Sequence, residues 1–402
     1  MKKKWIALLL AVAMLLGALT ACGSAPAAEN NTEDTPAPQE ETEQPQTGDE
    51  TEPSDAPAEI PAEALEDPIA YVTDGAVKAG DVVMTVDGVD IPAGVYTYWL
   101  ADQYSSMAYT YMTDGMELDV AEAMDESGAT MADYFSQQAE TVCQMHAVLK
   151  NKALEAGLEL TEEQQEDMAQ LADSYDENML TYYATDMTGL AAAYEASCLA
   201  TNLQDYLYAE DGPEAPTEET LTDYAQETGT YTCRYILFYT ADLDEDDADG
   251  RAAQLAAAQE IYDQLAACAP EELEETFAQL QAEHNYDGNT EPFTFNDDSS
   301  LADGFRETVA AVSEGELALS DETMYGYFVI LRLPNDLDTL KEEYVDTAFE
   351  AKIAQWVEES EIVTADAYAG LDHVATLQRL QSLQDAVIAA MSAQYAEPET
   401  AE

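Results

Sequence analysis

The sequence predicts an α+β protein that is mostly helical. Three observations lead there. Long amphipathic stretches fill residues 92–208 and return after Pro334. Between them, an aromatic and β-branched run at Tyr231–Tyr239 and another at Met324–Leu333 bracket about 85 residues of helical pattern. A strand–helix–helix–helix–strand order of that length makes a compact α/β module.

In chain order, Lys2, Lys3 and Lys4 precede an apolar run from Trp5 to Leu19, which ends in Leu19-Thr20-Ala21-Cys22. The run is too short for a comfortable membrane span and has the length of a signal-peptide core. Residues 1–21 are expected to be a lipoprotein signal peptide, with Cys22 as the lipid-modified first residue. Two acyl chains there would give stable anchoring where one would be marginal. The expected place is extracytoplasmic, lipid-anchored to the bacterial cell membrane. Residues 22–67 follow without Lys, Arg or aromatic residues. Such a segment buries too little apolar surface to fold and reads as a disordered acidic tether.

Asp81–Ile91 reads as a strand, an Asp87-Gly88 turn and a short return. Pro92 opens a helix through Tyr96, Trp99, Leu100 and Tyr104, and a second helix covers Met131–Ala156. Thr161 and Gln164 form a capping box, and further helices are expected over 163–183 and 189–208. Gly212–Pro216 is a boundary. The α/β module then has helices at 249–267, from Pro270, and near 301–311. Helices at 337–359 and 373–395 complete the reading. The domain limits are 68–225 and 335–373 for two parts of one helical domain, 226–334 for the inserted module, and 374–402 for a C-terminal helix and acidic tail.

The formal net charge is −71 at pH 7, from 84 Asp and Glu against 13 Lys and Arg. No basic patch can be assembled, so nucleic acid is excluded as a partner. Cys143, Cys198, Cys233 and Cys268 show no CxxC spacing and read mainly as small buried hydrophobes, with disulfides among them left open. The acidic loop 242–247 lacks the glycine that an EF-hand needs at its sixth position, so no metal site is read there. No cofactor motif is read either.

Several stretches together resemble the parvulin-type extracytoplasmic foldases, the PrsA-like lipoproteins and their SurA-like relatives. They are Val83–Gly88 with its following helix, Ala153–Thr161, Phe277–Leu280 with Glu283 and Asp287, Ser313–Glu316, and Tyr325–Tyr327. The resemblance implies a SurA-like helical chaperone domain with an inserted parvulin-like α/β module. It also implies clients that are unfolded or nascent exported polypeptides, and leaves a homodimer open. The family's isomerase site uses two histidines and a Cys or Asp beside an apolar proline pocket. Here Tyr235 and Phe328 stand at the histidine positions and Asp287 at the third. Leu301, Phe305 and Ala310 stand at pocket positions. Phe328 can neither donate nor accept a hydrogen bond, so the two-histidine network cannot form, while Tyr235 can still bond Asp287 through its hydroxyl. His284, three residues before Asp287, reads as a surface residue at a helix end. The function implied is a membrane-tethered foldase or chaperone with a degenerate peptidyl-prolyl isomerase module. An active isomerase and a solute-binding or surface-interaction lipoprotein are the alternatives.

Overall fold

A computed structural model describes residues 59–124, 127–244 and 246–395. The signal peptide, Cys22 and most of the tether lie outside the described residues. The chain divides into two compact units, one of residues 1–207 with 349–402, the other of residues 208–348.

In the first unit, short helices α1 (Ala62–Glu66) and α2 (Pro68–Val72) precede hairpin strands β1 (Val82–Val86) and β2 (Val89–Pro92). The end of the expected tether is therefore folded. Ala64 is buried, and Asp67 caps α2 by accepting from the Ala70 N–H at 2.9 Å. Asp87 and Gly88 turn the hairpin with φ of 47° and 84°, the positive pair that a tight two-residue turn requires. Helices α3 (Ala93–Thr113) and α4 (Met131–Glu155) pack on each other. Then come α5 (Glu162–Ser174), α6 (Glu177–Tyr182) and α7 (Met187–Tyr208). The Thr161–Gln164 capping box forms as read. The single helix expected over 163–183 is broken instead, because Asp176 accepts from the Met179 N–H at 2.9 Å and starts a new helix. At the start of α7, Gly189 lies against the backbone of Gly94 in α3. A Cβ there would come within 2.5 Å of the Gly94 carbonyl carbon.

In the second unit, α8 (Glu218–Glu227) packs Leu221 and Ala225 against Leu340. Leu340 belongs to α12 (Leu337–Glu359), which begins in this unit and ends in the first. That packing widens the unit beyond the module limits of 226 and 334. Between these helices run β3 (Tyr231–Tyr239), α9 (Ala248–Ala266), α10 (Pro270–His284), β4 (Phe293–Phe295), α11 (Phe305–Ala310), β5 (Leu317–Leu319) and β6 (Gly326–Leu333). They form an antiparallel sheet in the order β4-β3-β6-β5. Side chains alternate across it. Ile236, Phe238, Val329 and Leu331 face α9 and α10, whereas Cys233, Leu237, Phe328 and Ile330 pack with Phe305 and Val309 of α11. With both faces covered, every residue of β6 is buried.

The chain returns to the first unit through β7 (Ile362–Thr364), α13 (Asp366–Ala369) and α14 (His373–Tyr395). Strand β7 pairs with β1, giving a three-stranded sheet in the order β2-β1-β7. Helix α14 is no appendage. Leu377, Leu380, Leu383 and Val387 are buried, and it packs on α2, α4 and α6. Among the described residues, no helix is long and apolar enough to cross a membrane.

Candidate functional site

The α11 face of the second unit's sheet opens into a cavity of about 320 Å³. Its floor is aromatic. Tyr235 from β3 meets Phe293, Phe305 and Phe328 edge-on at centroid distances of 5.8, 5.6 and 5.8 Å, and Phe305 meets Phe328 at 4.8 Å. Register produces this cluster. Leu237 pairs with Phe328 and Tyr235 with Ile330, so Tyr235 and Phe328 lie diagonally on one face of neighbouring strands.

The polar edge comes from the loop after α10. The Tyr235 hydroxyl donates to Asp287 Oδ2 at 2.7 Å. Asp287 Oδ1 accepts from Asn285 Nδ2 at 2.7 Å and from the Asn289 N–H at 2.9 Å. Asn285 Oδ1 also accepts from the Leu237 N–H at 2.8 Å, which fastens the loop to β3. Gly288 turns between these contacts with φ of 75°. Partial burial first, then the bond to Asp287 and its charge, push the Tyr235 phenol well above its ordinary range. It stays protonated at neutral pH, committed as a donor to Asp287. No histidine lines the cavity, and His284 is exposed at the C-terminal end of α10, 3.8 Å from the carboxylate of Glu283.

Of the residues expected from the sequence, the structure brings Asp287, Tyr235, Phe328, Leu301 and Phe305 together around this cavity. Ala310 is not among them. It is exposed, and Val309 is buried beneath the sheet instead. Phe305 opens α11, so the residue one turn on, at i+4, shares its face, and the next is rotated away. Sequence reasoning missed Phe293, Tyr239, Tyr286 and Tyr325, which also line the cavity. Tyr239 and Tyr286 stack with centroids 4.2 Å apart and planes 4° apart. Period-2 alternation from Tyr235 through Leu237 could have placed Tyr239. Tyr286, beside Asp287, carried no such signal.

The arrangement can enclose an apolar side chain and offer one carboxylate at its edge. Among the described residues no cluster of three or more His, Cys, Asp or Glu could hold a metal ion. Lipidation at Cys22 lies outside the described residues.

No family model matches this chain, and no curated protein matches it. Solved structures do. The chain is similar to PrsA from Bacillus subtilis, with 16% identity, 81% of this chain and 96% of that one covered, and a TM-score of 0.21. It is also similar to the peptidylprolyl isomerase PrsA from Bacillus cereus, with 14% identity, 81% and 95% covered, and a TM-score of 0.25. A third likeness is to the foldase protein PrsA from Streptococcus pneumoniae, with 15% identity, 63% and 89% covered, and a TM-score of 0.23.

Proposed function

We propose that this protein is an extracytoplasmic foldase of the PrsA-like type. It is tethered through lipid on Cys22, acts on unfolded exported polypeptides, and keeps its parvulin-like module for binding more than for catalysis. The observation that carries this reading is the aromatic cavity built around the Tyr235–Asp287 hydrogen bond. Unfolded chains present apolar side chains that folded proteins hide, and a preformed apolar pocket with a few polar groups at its edge suits them. Rotation of an X–Pro bond asks for more. The site must favour the twisted amide over both planar forms. The ring of Phe328 adds no hydrogen-bonding group, and the hydroxyl of Tyr235 is already given to Asp287.

The test uses the chain from residue 23 onward, without lipid. Aggregation of an unfolded client is followed by light scattering, and isomerisation of an Ala-Pro peptide by protease-coupled cleavage. Suppressed aggregation with turnover far below that of a two-histidine parvulin is the expected pair of results. Robust turnover that Asp287→Ala abolishes would replace this reading with that of an active isomerase. A chain that neither suppresses aggregation nor binds peptide would favour a solute-binding or surface-interaction role.

A further inference from the structure

The mouth of the cavity differs chemically from its floor. Tyr286 is 59% exposed and Tyr325 43% exposed, and the stacked pair Tyr239–Tyr286 leaves ring surface open to solvent. Burial, then Asp242 and the neighbouring tyrosines, raise the Tyr239 phenol above its ordinary value, so its ring stays neutral. Beside these rings stands Asp287, exposed and bonded only to neutral donors: the Tyr235 hydroxyl, the Asn285 amide and the Asn289 N–H. Among the described residues, no lysine, arginine or histidine lies within ion-pair distance of it. The four arginines of the module are engaged elsewhere: Arg251 with Glu322, Arg306 with Asp297, Arg234 with Gln281 and Glu274, and Arg332 with the Leu333 carbonyl and the Tyr231 ring. An unpaired carboxylate beside exposed tyrosine faces is the arrangement that attracts an organic cation, through charge and through the ring quadrupole together. A phosphorylated or acidic side chain would meet repulsion at the same place.

We propose that this mouth selects polypeptide segments in which a lysine or arginine stands next to the apolar residue that enters the cavity. The proposal rests on the reading of the cavity as a peptide site and adds a rule of selection to it. The entering residue fills the space above Phe293, Phe305 and Phe328. Its cationic neighbour lies against Tyr286 and Tyr325, within reach of Asp287. The chain's charge of −71 draws basic segments in general. The mouth adds a positional preference, which a diffuse field cannot supply.

That distinction defines the experiment. Three fluorescent peptides of one composition, each with a single proline and a single lysine, are titrated with the chain from residue 23 onward by anisotropy. The lysine stands before the proline, after it, or six residues away. A fourth peptide has glutamate beside the proline. At least one adjacent-lysine peptide is expected to bind roughly fivefold more tightly than the distant-lysine peptide, the scale of an exposed cation–ring contact. Tyr286→Leu and Asp287→Asn should each shrink that ratio, whereas Glu166→Gln, in the other unit, should leave it unchanged. Equal affinity for adjacent and distant lysine would overturn the selection rule while leaving the peptide site standing. So would a ratio that Tyr286→Leu and Asp287→Asn both leave unchanged. Failure of all four peptides to bind would overturn the peptide site itself, and the rule with it.

Discussion

His146 makes the first unit acid-sensitive in a way that can be calculated. The residue sits in α4, 3% exposed, with its ring edge-on to Trp99 at 5.0 Å. Neither ring nitrogen has a hydrogen-bond partner among the described residues. Burial lowers its pKa from 6.5 to about 3, so the folded protein holds it neutral where the unfolded chain would protonate it. Between these two values the unfolded state binds the extra proton, and stability therefore falls as pH falls through 6.5. At pH 5 the acidity is about 1.5 units past the unfolded pKa. At about 1.4 kcal/mol per unit, the expected loss relative to pH 7 is about 2 kcal/mol. His146→Leu removes the titrating group at similar volume. Urea unfolding is followed by tryptophan fluorescence, which reports on the first unit because residues 208–348 contain no tryptophan. Relief of carboxylate repulsion on acidification is common to both proteins and cancels in their difference. The wild type should lose about 2 kcal/mol more than the variant between pH 7 and 5. Parallel curves would refute the buried, unpartnered state of the ring.

Three further outcomes are expected. Tyr235→His combined with Phe328→His should raise Ala-Pro turnover above either single change, because residues sharing one site act together. Equal turnover in the double variant and the wild type would mean that Asp287 does not complete the site. Gly189→Ala should destabilise the first unit by about 1–3 kcal/mol, since the added methyl meets Gly94 backbone that cannot swing aside, and an unchanged urea midpoint would contradict that close approach. Cys22→Ala should abolish incorporation of labelled lipid, and continued labelling would sink the anchor.

Much of the fold was legible in the sequence because its long elements carry strong periodic signals. The run Tyr231–Tyr239 became β3 at the bounds read for it, and His373–Tyr395 became α14. The three-residue strands β4, β5 and β7 were not legible, since three residues cannot display an alternation. Ile362–Thr364 is exposed throughout and owes its strand state to pairing with β1, far earlier in the chain. The site was legible where chemistry is tied to spacing. Tyr235 and Asp287 could be brought together on resemblance, and their hydrogen bond is present at 2.7 Å. The mouth was not, because Tyr286 and Tyr325 come from separate loops, one fastened to β3 by hydrogen bonds at Leu237 and the other leading into β6. Ala310 lies outside the cavity, on the exposed side of α11, because one step along a helix turns a side chain by about 100°.

The pairing of β7 with β1 also governs the order in which the molecule can form. The second unit is one continuous stretch of chain, so it can close as soon as its last residues have emerged. The first unit must wait. Its central strand β1 is made early, but one of its two neighbours lies some 275 residues later, and so does α14. Contacts so distant in sequence form slowly, because the loop between them must be closed before they contribute. Until then the surfaces of α2, α4 and α6 that α14 covers stay open. The nascent protein thus passes through a stage at which its finished middle hangs from an unfinished beginning. A pulse-labelled chain stopped short of residue 362 should show a protease-resistant core from the second unit alone.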